Sequence, residues 1–272
     1  MALDFSKVND RISAFNKNSQ PTEKIDYTTI FWRPQEGKQV VRLVPSVVDP
    51  TYPFTEMKFH YNFDFPIPAL SNFGKQDPVE EFVKELRKLG GDDNFDEARK
   101  YSPKTRILAP VVVRGEEDKG VRLWNFGITI YDSLLKLAKD EDIGDYTDPI
   151  NGWDMVVEMT PKNSQSPYPK TEIRIKPKQT PLSDDNTSVE TWLKEQPKPL
   201  EVYKAYDYEF IKKQLQNYLN PGSVEENAPA AHSGTDTNLP ESLGQQKTDF
   251  TLETATAGNQ DTVSKFDDLF NE

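Results

Sequence analysis

The chain has 272 residues, of which 35% are hydrophobic and 29% charged, with a formal net charge of −12. That is enough apolar material for an ordered domain but not for burying the whole chain. It has no cysteine and only two histidines, which excludes disulfides, thiolate zinc sites, iron–sulfur clusters and cysteine nucleophiles. No apolar run reaches the roughly 20 residues of a membrane span. Met1-Ala2-Leu3-Asp4-Phe5 does not open a signal-peptide pattern. A soluble, intracellular protein without a membrane partner is expected. The acidity is local: residues 221–272 hold 2 basic and 10 acidic residues, so that segment carries −8 of the −12. It also lacks Tyr and Trp, and its composition predicts disorder.

In chain order, Leu3, Val8, Ile12 and Phe15 recur at helical spacing over 3–18, with Lys7, Arg11 and Lys17 outside. A linker follows at 18–22. Strand patterns dominate from Thr28 to about Pro181. Val40–Val44 reads as a buried strand, and Met57–Phe63 alternates with period two. Asp77-Pro78-Val79-Glu80 reads as a helix start, with Asp as N-cap and Pro at the first position. Val79, Phe82, Val83, Leu86 and Leu89 form its apolar face, and Gly90-Gly91 ends it. The run Arg106–Arg114 turns through 115–120 into Val121–Phe126 as a hairpin. A helix is expected over 129–139. Trp153–Met159 and Thr171–Lys176 make a further pair across a Pro/Ser/Asn loop at 161–169. A last helix covers Tyr208–Leu219. Five or six strands joined by hairpins, with helices inserted, predict a mainly β, α+β fold: a small, partly open barrel.

Enzyme signatures are absent: there is no G-x-x-x-x-G-K-[ST], no G-x-S-x-G and no H-x-x-x-H. The acidic clusters at 92–93, 116–118 and 140–142 read as turn charges. His60, between aromatics on a strand, suits a structural or ligand-contact role better than general-base work. His232 falls in the acidic segment and is given no role.

Basic and aromatic residues interleaved on strand faces are the stronger signal. Alternation puts Arg122, Trp124 and Phe126 on one face. Ile173 and Ile175 face in while Arg174 and Lys176 face out. Lys58 and His60 share a face opposite Met57, Phe59, Tyr61 and Phe63. Arg99, Lys100, Tyr101, Lys104 and Arg106 cluster at the entrance to a strand. Cations that track phosphates, beside rings on which bases stack, are what single-strand binding requires. The end of the chain is a second signal. Phe266, Leu269 and Phe270 stand at helical spacing around Asp267 and Asp268, a pattern suited to docking on partner proteins.

Over roughly 30–180, and again at the extreme C-terminus, these residues resemble the single-stranded DNA-binding, helix-destabilising proteins of T-even-like phages. The likeness rests on Gly37–Ser46 followed by Pro53-Phe54 and His60, on Lys119-Gly120-Val121, Phe126-Gly127 and Ile130-Tyr131-Asp132, on the Trp153 segment, and on Asp267–Asn271. It implies an OB-fold core, a five-stranded, partly open barrel with flexible N- and C-terminal arms. The arms would lie at 1–22 (cooperativity) and 221–272. The core would span 23–181, with a helical insertion at about 64–104, and a helical extension would cover 182–220. It further implies a non-enzymatic protein of the infected bacterial host's cytoplasm. Such a protein coats single-stranded DNA during replication, recombination and repair, and self-associates along the strand. Its C-terminal tail recruits polymerase, helicase-loader and recombinase-type proteins. By position it adds Arg42, in the first strand, and Tyr168, in the late loop, to the contacts, and assigns Trp124 the stacking role.

The chain departs from the family's zinc site. His60 remains, but Asp77-Pro78-Val79-Glu80 stands where Cys-Pro-Val-Cys is usual. No metal or other cofactor is expected, and the capped helix is expected to replace the metal by burial. The alternative to strand binding is a small-barrel protein–protein interaction module. A carboxylate-based nuclease is a more distant one.

Overall fold

The computed structural model describes residues 27–164, 166–220 and 260–270. The N-terminal arm with Lys7, Arg11 and Lys17, and most of the acidic segment, lie outside the described residues. Eight strands form one sheet: β1 (Phe31–Trp32), β2 (Gly37–Leu43), β3 (Thr55–His60), β4 (Ile67–Pro68), β5 (Lys104–Val113), β6 (Arg122–Phe126), β7 (Trp153–Thr160) and β8 (Lys170–Gln179). Their order is β1-β6-β5-β2-β7-β8. The ten-residue β5 is the spine. β6 pairs along one of its edges, while β3 and β2 share the other, β3 on Lys104–Leu108 and β2 on Val111–Val113. The two expected hairpins are present as antiparallel pairs. β1 runs parallel to β6, a pairing that two residues are too few to signal by alternation.

The sheet is open. Among the described residues no ladder joins β1 to β8, and the sheet has eight strands where a partly open five-stranded barrel is expected. β5 is too long for one neighbour, and β3 and β2 share one of its edges in succession.

Alternation along β5 and β6 separates two faces. Ile107, Ala109, Val111 and Val113, with Trp124 and Phe126, point to the main core. Helix α4 (Ile128–Ala138) covers that core through Tyr131 and Leu134. Leu108 and Leu123 point the other way, to a smaller cluster with Phe31, Met57, Phe59 and Tyr203. Helix α1 (Tyr27–Ile30) flanks this second cluster.

Helices α2 (Pro78–Leu89) and α3 (Asp92–Tyr101) form a lobe beside the sheet. Asp77 caps α2 as expected, its Oδ1 accepting from the backbone N–H of Val79 and Glu80 at 3.0 Å each. Asp92 and Asp93 do not sit in a turn but open α3, where acidic side chains suit the positive end of the helix dipole. Gly90 and Gly91, at φ +70° and +84°, make the break between the helices that other residues would strain to adopt. Three further helices follow: α5 (Asn186–Lys194), α6 (Pro199–Val202) and α7 (Tyr208–Leu219). Leu182 packs with Val44, Val112 and Val121, and Ile211, Leu215 and Leu219 of α7 pack into the lobe. The extension after Pro181 is therefore part of the packed structure. The last element, α8 (Gln260–Phe270), also packs on the lobe.

Candidate nucleic-acid interface

The face of the sheet opposite the main core is apolar in its middle and polar at one end. Arg106 precedes Leu108 by two residues on β5, and Asn125 follows Leu123 by two on β6, so both belong to that face. Arg106 Nε donates to Asn125 Oδ1 at 2.8 Å. Tyr61 continues the Met57–Phe59 stripe just past β3, and Arg33 continues Phe31 just past β1. Tyr203, arriving from the turn after α6, closes the group. Its ring packs on Phe31 at 5.8 Å and Phe59 at 5.1 Å, centroid to centroid.

The result is two guanidinium groups and two phenol rings converging on one patch. Tyr61 is 41% exposed and Arg33 is also exposed, while Arg106 and Asn125 are half-buried. Partial desolvation lowers the Arg33 pKa; Tyr203 opposes that shift, and the nearby Arg106 cation adds to it. Desolvation raises Tyr61, opposed by Arg106 and Arg33. No carboxylate stands among these influences, and Arg33 has no ion pair among the described residues. Two like charges held close together favour a bound anion, and an exposed phenol ring beside them offers a face to a base.

A second basic feature lies at the seam between the sheet and the lobe. Lys58, Lys84, Arg87 and Lys88 line a shallow groove of about 550 Å³ with Glu80, Val83, Ser102 and Pro103. Lys104, exposed at the start of β5, follows directly after this groove and shares the face of Arg106.

The residues expected to contact DNA divide sharply. Trp124 is 1% exposed. It packs edge-on to Trp32 at 5.3 Å and against Phe126 at 4.6 Å. Neither Trp124 nor Phe126 offers a base a face, because their shared side of β6 is the side that α4 covers. Arg122 is buried on Glu116 at 2.6 Å. Arg42 is fully buried: its Nε donates to Asp154 Oδ1 at 3.0 Å, and its other nitrogens reach Thr180 and the Asp148 carbonyl. Arg114 shares the same Asp154 at 2.9 Å. That network fastens β2, β5 and β7 to the exit of β8 and is structural. Tyr101 is buried against Phe82 and Tyr218.

Several expected cations are exposed but matched by acids. Lys58 pairs with Glu80, Arg99 with Asp96, Lys100 with Glu97 and Arg174 with Glu158. Tyr168 is 43% exposed in the loop before β8, and Lys176 is half-buried on it. Of the expected contacts, the structure brings only Arg106 and Lys104 near the Tyr61 patch. Tyr61, Arg33, Tyr203 and Asn125 were not among them. One signal was available: Tyr61 is the one amphipathic ring on the Met57, Phe59, Tyr61, Phe63 face, and such a ring belongs where an apolar stripe meets solvent.

His60 is fully buried and hydrogen-bonds through Nε2 to Asp77 Oδ2 at 3.0 Å. The same Oδ2 accepts from the Leu70 N–H at 2.7 Å. Glu80 turns away, to Lys58 and Ser71. Tetrahedral zinc needs four donors, and no group of three or more candidate ligands occurs among the described residues. The donor set does not fit zinc. A buried His–Asp hydrogen bond and a capped helix stand at that position, and His60 contacts no solvent through which it could touch DNA.

No curated protein matches the chain. A family model described as gp32 DNA binding protein like matches residues 35–224. That span holds Tyr61, Arg106, Asn125 and Tyr203, the basic groove, the His60–Asp77 pair and the helical extension. It covers well over half of the sequence, and the chain belongs to the gp32 DNA binding protein like family.

Proposed function

We propose that the protein binds single-stranded DNA without sequence preference, across the sheet face that carries Arg33, Tyr61, Arg106 and Tyr203. One observation carries the proposal. At the edge of a DNA-binding family domain, this patch brings Arg33 and Arg106 together beside an exposed tyrosine, with no carboxylate among the groups that shift Arg33. A base stacked on Tyr61 contributes about 1–3 kcal/mol, and Arg33, Arg106 and Lys104 hold the flanking phosphates. Lys84 and Arg87, in the groove at the seam, extend the path of the backbone along the lobe. The open sheet serves as an OB-type binding surface.

In this proposal the protein coats and protects single strands during phage DNA replication, recombination and repair, in the cytoplasm of the infected host. The arm at 1–22 supports self-association along the strand, and the acidic tail recruits replication and recombination proteins. No reaction is assigned to it. Anisotropy titration of a labelled oligo-dT against the full-length protein and Arg106→Ala tests the binding surface. The expected result is roughly tenfold weaker binding with an unchanged melting temperature. Equal affinity for the two proteins would remove this face from the DNA path.

A further inference from the structure

The C-terminal helix is amphipathic, and its apolar face is already occupied. Val263, Phe266 and Phe270 lie on one side of α8 and belong to the core of the helical lobe. Phe266 is 1% exposed, with its ring 6.0 Å from that of Phe82 and 4.8 Å from that of Phe270. The walls are α2 and α7, which meet each other in the same core. Two lysines fasten the helix, one from its middle and one at its C-terminal end. Lys265 Nζ donates to Asn94 Oδ1 at 2.8 Å. Lys212 Nζ donates to the Phe270 carbonyl at 3.1 Å and stands 5.1 Å from the centre of its ring, a cation at the negative end of the helix. Asp267, Asp268 and Leu269 point outward.

We propose that the groove between α2 and α7 is a helix-binding seat whose resident is the chain's own C-terminal helix. A protein that reads Phe266 and Phe270 therefore obtains them by displacing α8; this second step rests on the recruiting role proposed above. The three anchors follow helix-in-groove spacing, at i, i+3 and i+7. Burial of aromatic rings holds the helix, so docking does not depend on the tail's acidity. A competing partner meets only the undocked fraction, and its apparent affinity falls in proportion.

Hydrogen exchange on the full-length protein tests the seat. Amides 262–270 are expected to be protected in the wild type and to stay protected at about 0.5 M salt, where the screening length is only a few ångströms. Phe266→Ala is expected to abolish that protection without altering exchange in β5 or α2. In addition, a fluorescent peptide covering 258–272 should bind the Phe266→Ala protein roughly tenfold more tightly than the wild type, whose seat is filled. Lys212→Glu, which removes the cation at the C-terminal end of α8, should weaken protection without emptying the seat. Unprotected wild-type amides, protection that salt removes, or equal peptide binding to both proteins would overturn the proposal. None of these readouts contains DNA, so a failure of strand binding and a failure of the seat are separate results.

Discussion

The two sides of β5 and β6 use similar residues for opposite purposes. On one side, Arg122, Trp124 and Phe126 alternate as a base-stacking platform would, yet α4 covers the two rings, which form core, and Arg122 is buried on Glu116. On the other, Arg106 and Asn125 alternate beside Leu108 and Leu123, and Tyr203 packs at the edge of that cluster. An aromatic–basic alternation identifies a strand face. Whether that face is core or surface depends on which helix lands on it. In this chain Arg42 and Arg114 share one buried carboxylate, whereas Arg33 and Arg106 lie close together with no carboxylate among the groups that shift Arg33. The first pair fastens strands, and the second suits an incoming anion.

The largest contrast between the faces is in stability. Trp124→Ala should cost about 3–5 kcal/mol through the cavity it leaves, measured by denaturant unfolding. Tyr61→Ala should leave the unfolding midpoint nearly unchanged. If Trp124→Ala weakened DNA binding at full stability, the two faces would have to be exchanged.

Next in size is the His60–Asp77 pair. Asp77→Ala removes a helix cap and leaves a buried histidine without its partner, a loss of about 3 kcal/mol. Burial alone would raise the Asp77 carboxyl; the His60 bond and the backbone N–H donors outweigh it and hold the pKa below its ordinary 3.8. A carboxylate held low stabilises the fold above its unfolded pKa, and that contribution is lost as pH falls through the lowered value. Acid unfolding of the wild type should therefore steepen below about pH 4, and Asp77→Asn should flatten that limb.

Binding effects come third. Tyr61→Ala should cost about 1–3 kcal/mol in oligo-dT affinity. Arg106→Ala should make the log–log salt slope shallower by about 0.7, one phosphate contact on a single strand. The smallest effect belongs to Arg174→Ala. Its partner Glu158 already neutralises it at the surface, so affinity and stability should both move by less than about 0.5 kcal/mol. A change comparable to that of Arg106→Ala would place the strand on β7 and β8 instead.

Much of the fold was readable from local chemistry. The Asp-Pro start of α2, the β5–β6 and β7–β8 hairpins and the limits of α7 all follow from caps, turns and periodicity. A partly open sheet was readable too; its eight strands were not, because β5's sharing of one edge between β2 and β3 is a long-range choice. The candidate site was only partly readable. Arg106 was found, and Tyr61 was placed on its correct face, but the contacts of that strand were assigned to the opposite face, to Lys58 and His60. Tyr203 reaches the patch from far along the chain, and Arg33 follows a strand of two residues. Neither leaves a local pattern.

The most direct measurement is photocrosslinking of an oligo-dT carrying 5-iododeoxyuridine to the full-length protein, with the adducts mapped by mass spectrometry. Adducts on Tyr61, weakened when Arg106 is replaced by Ala, are the expected result. Adducts confined to Tyr168 or to the tryptophans, with Tyr61 unlabelled, would contradict the placement of the strand on this face.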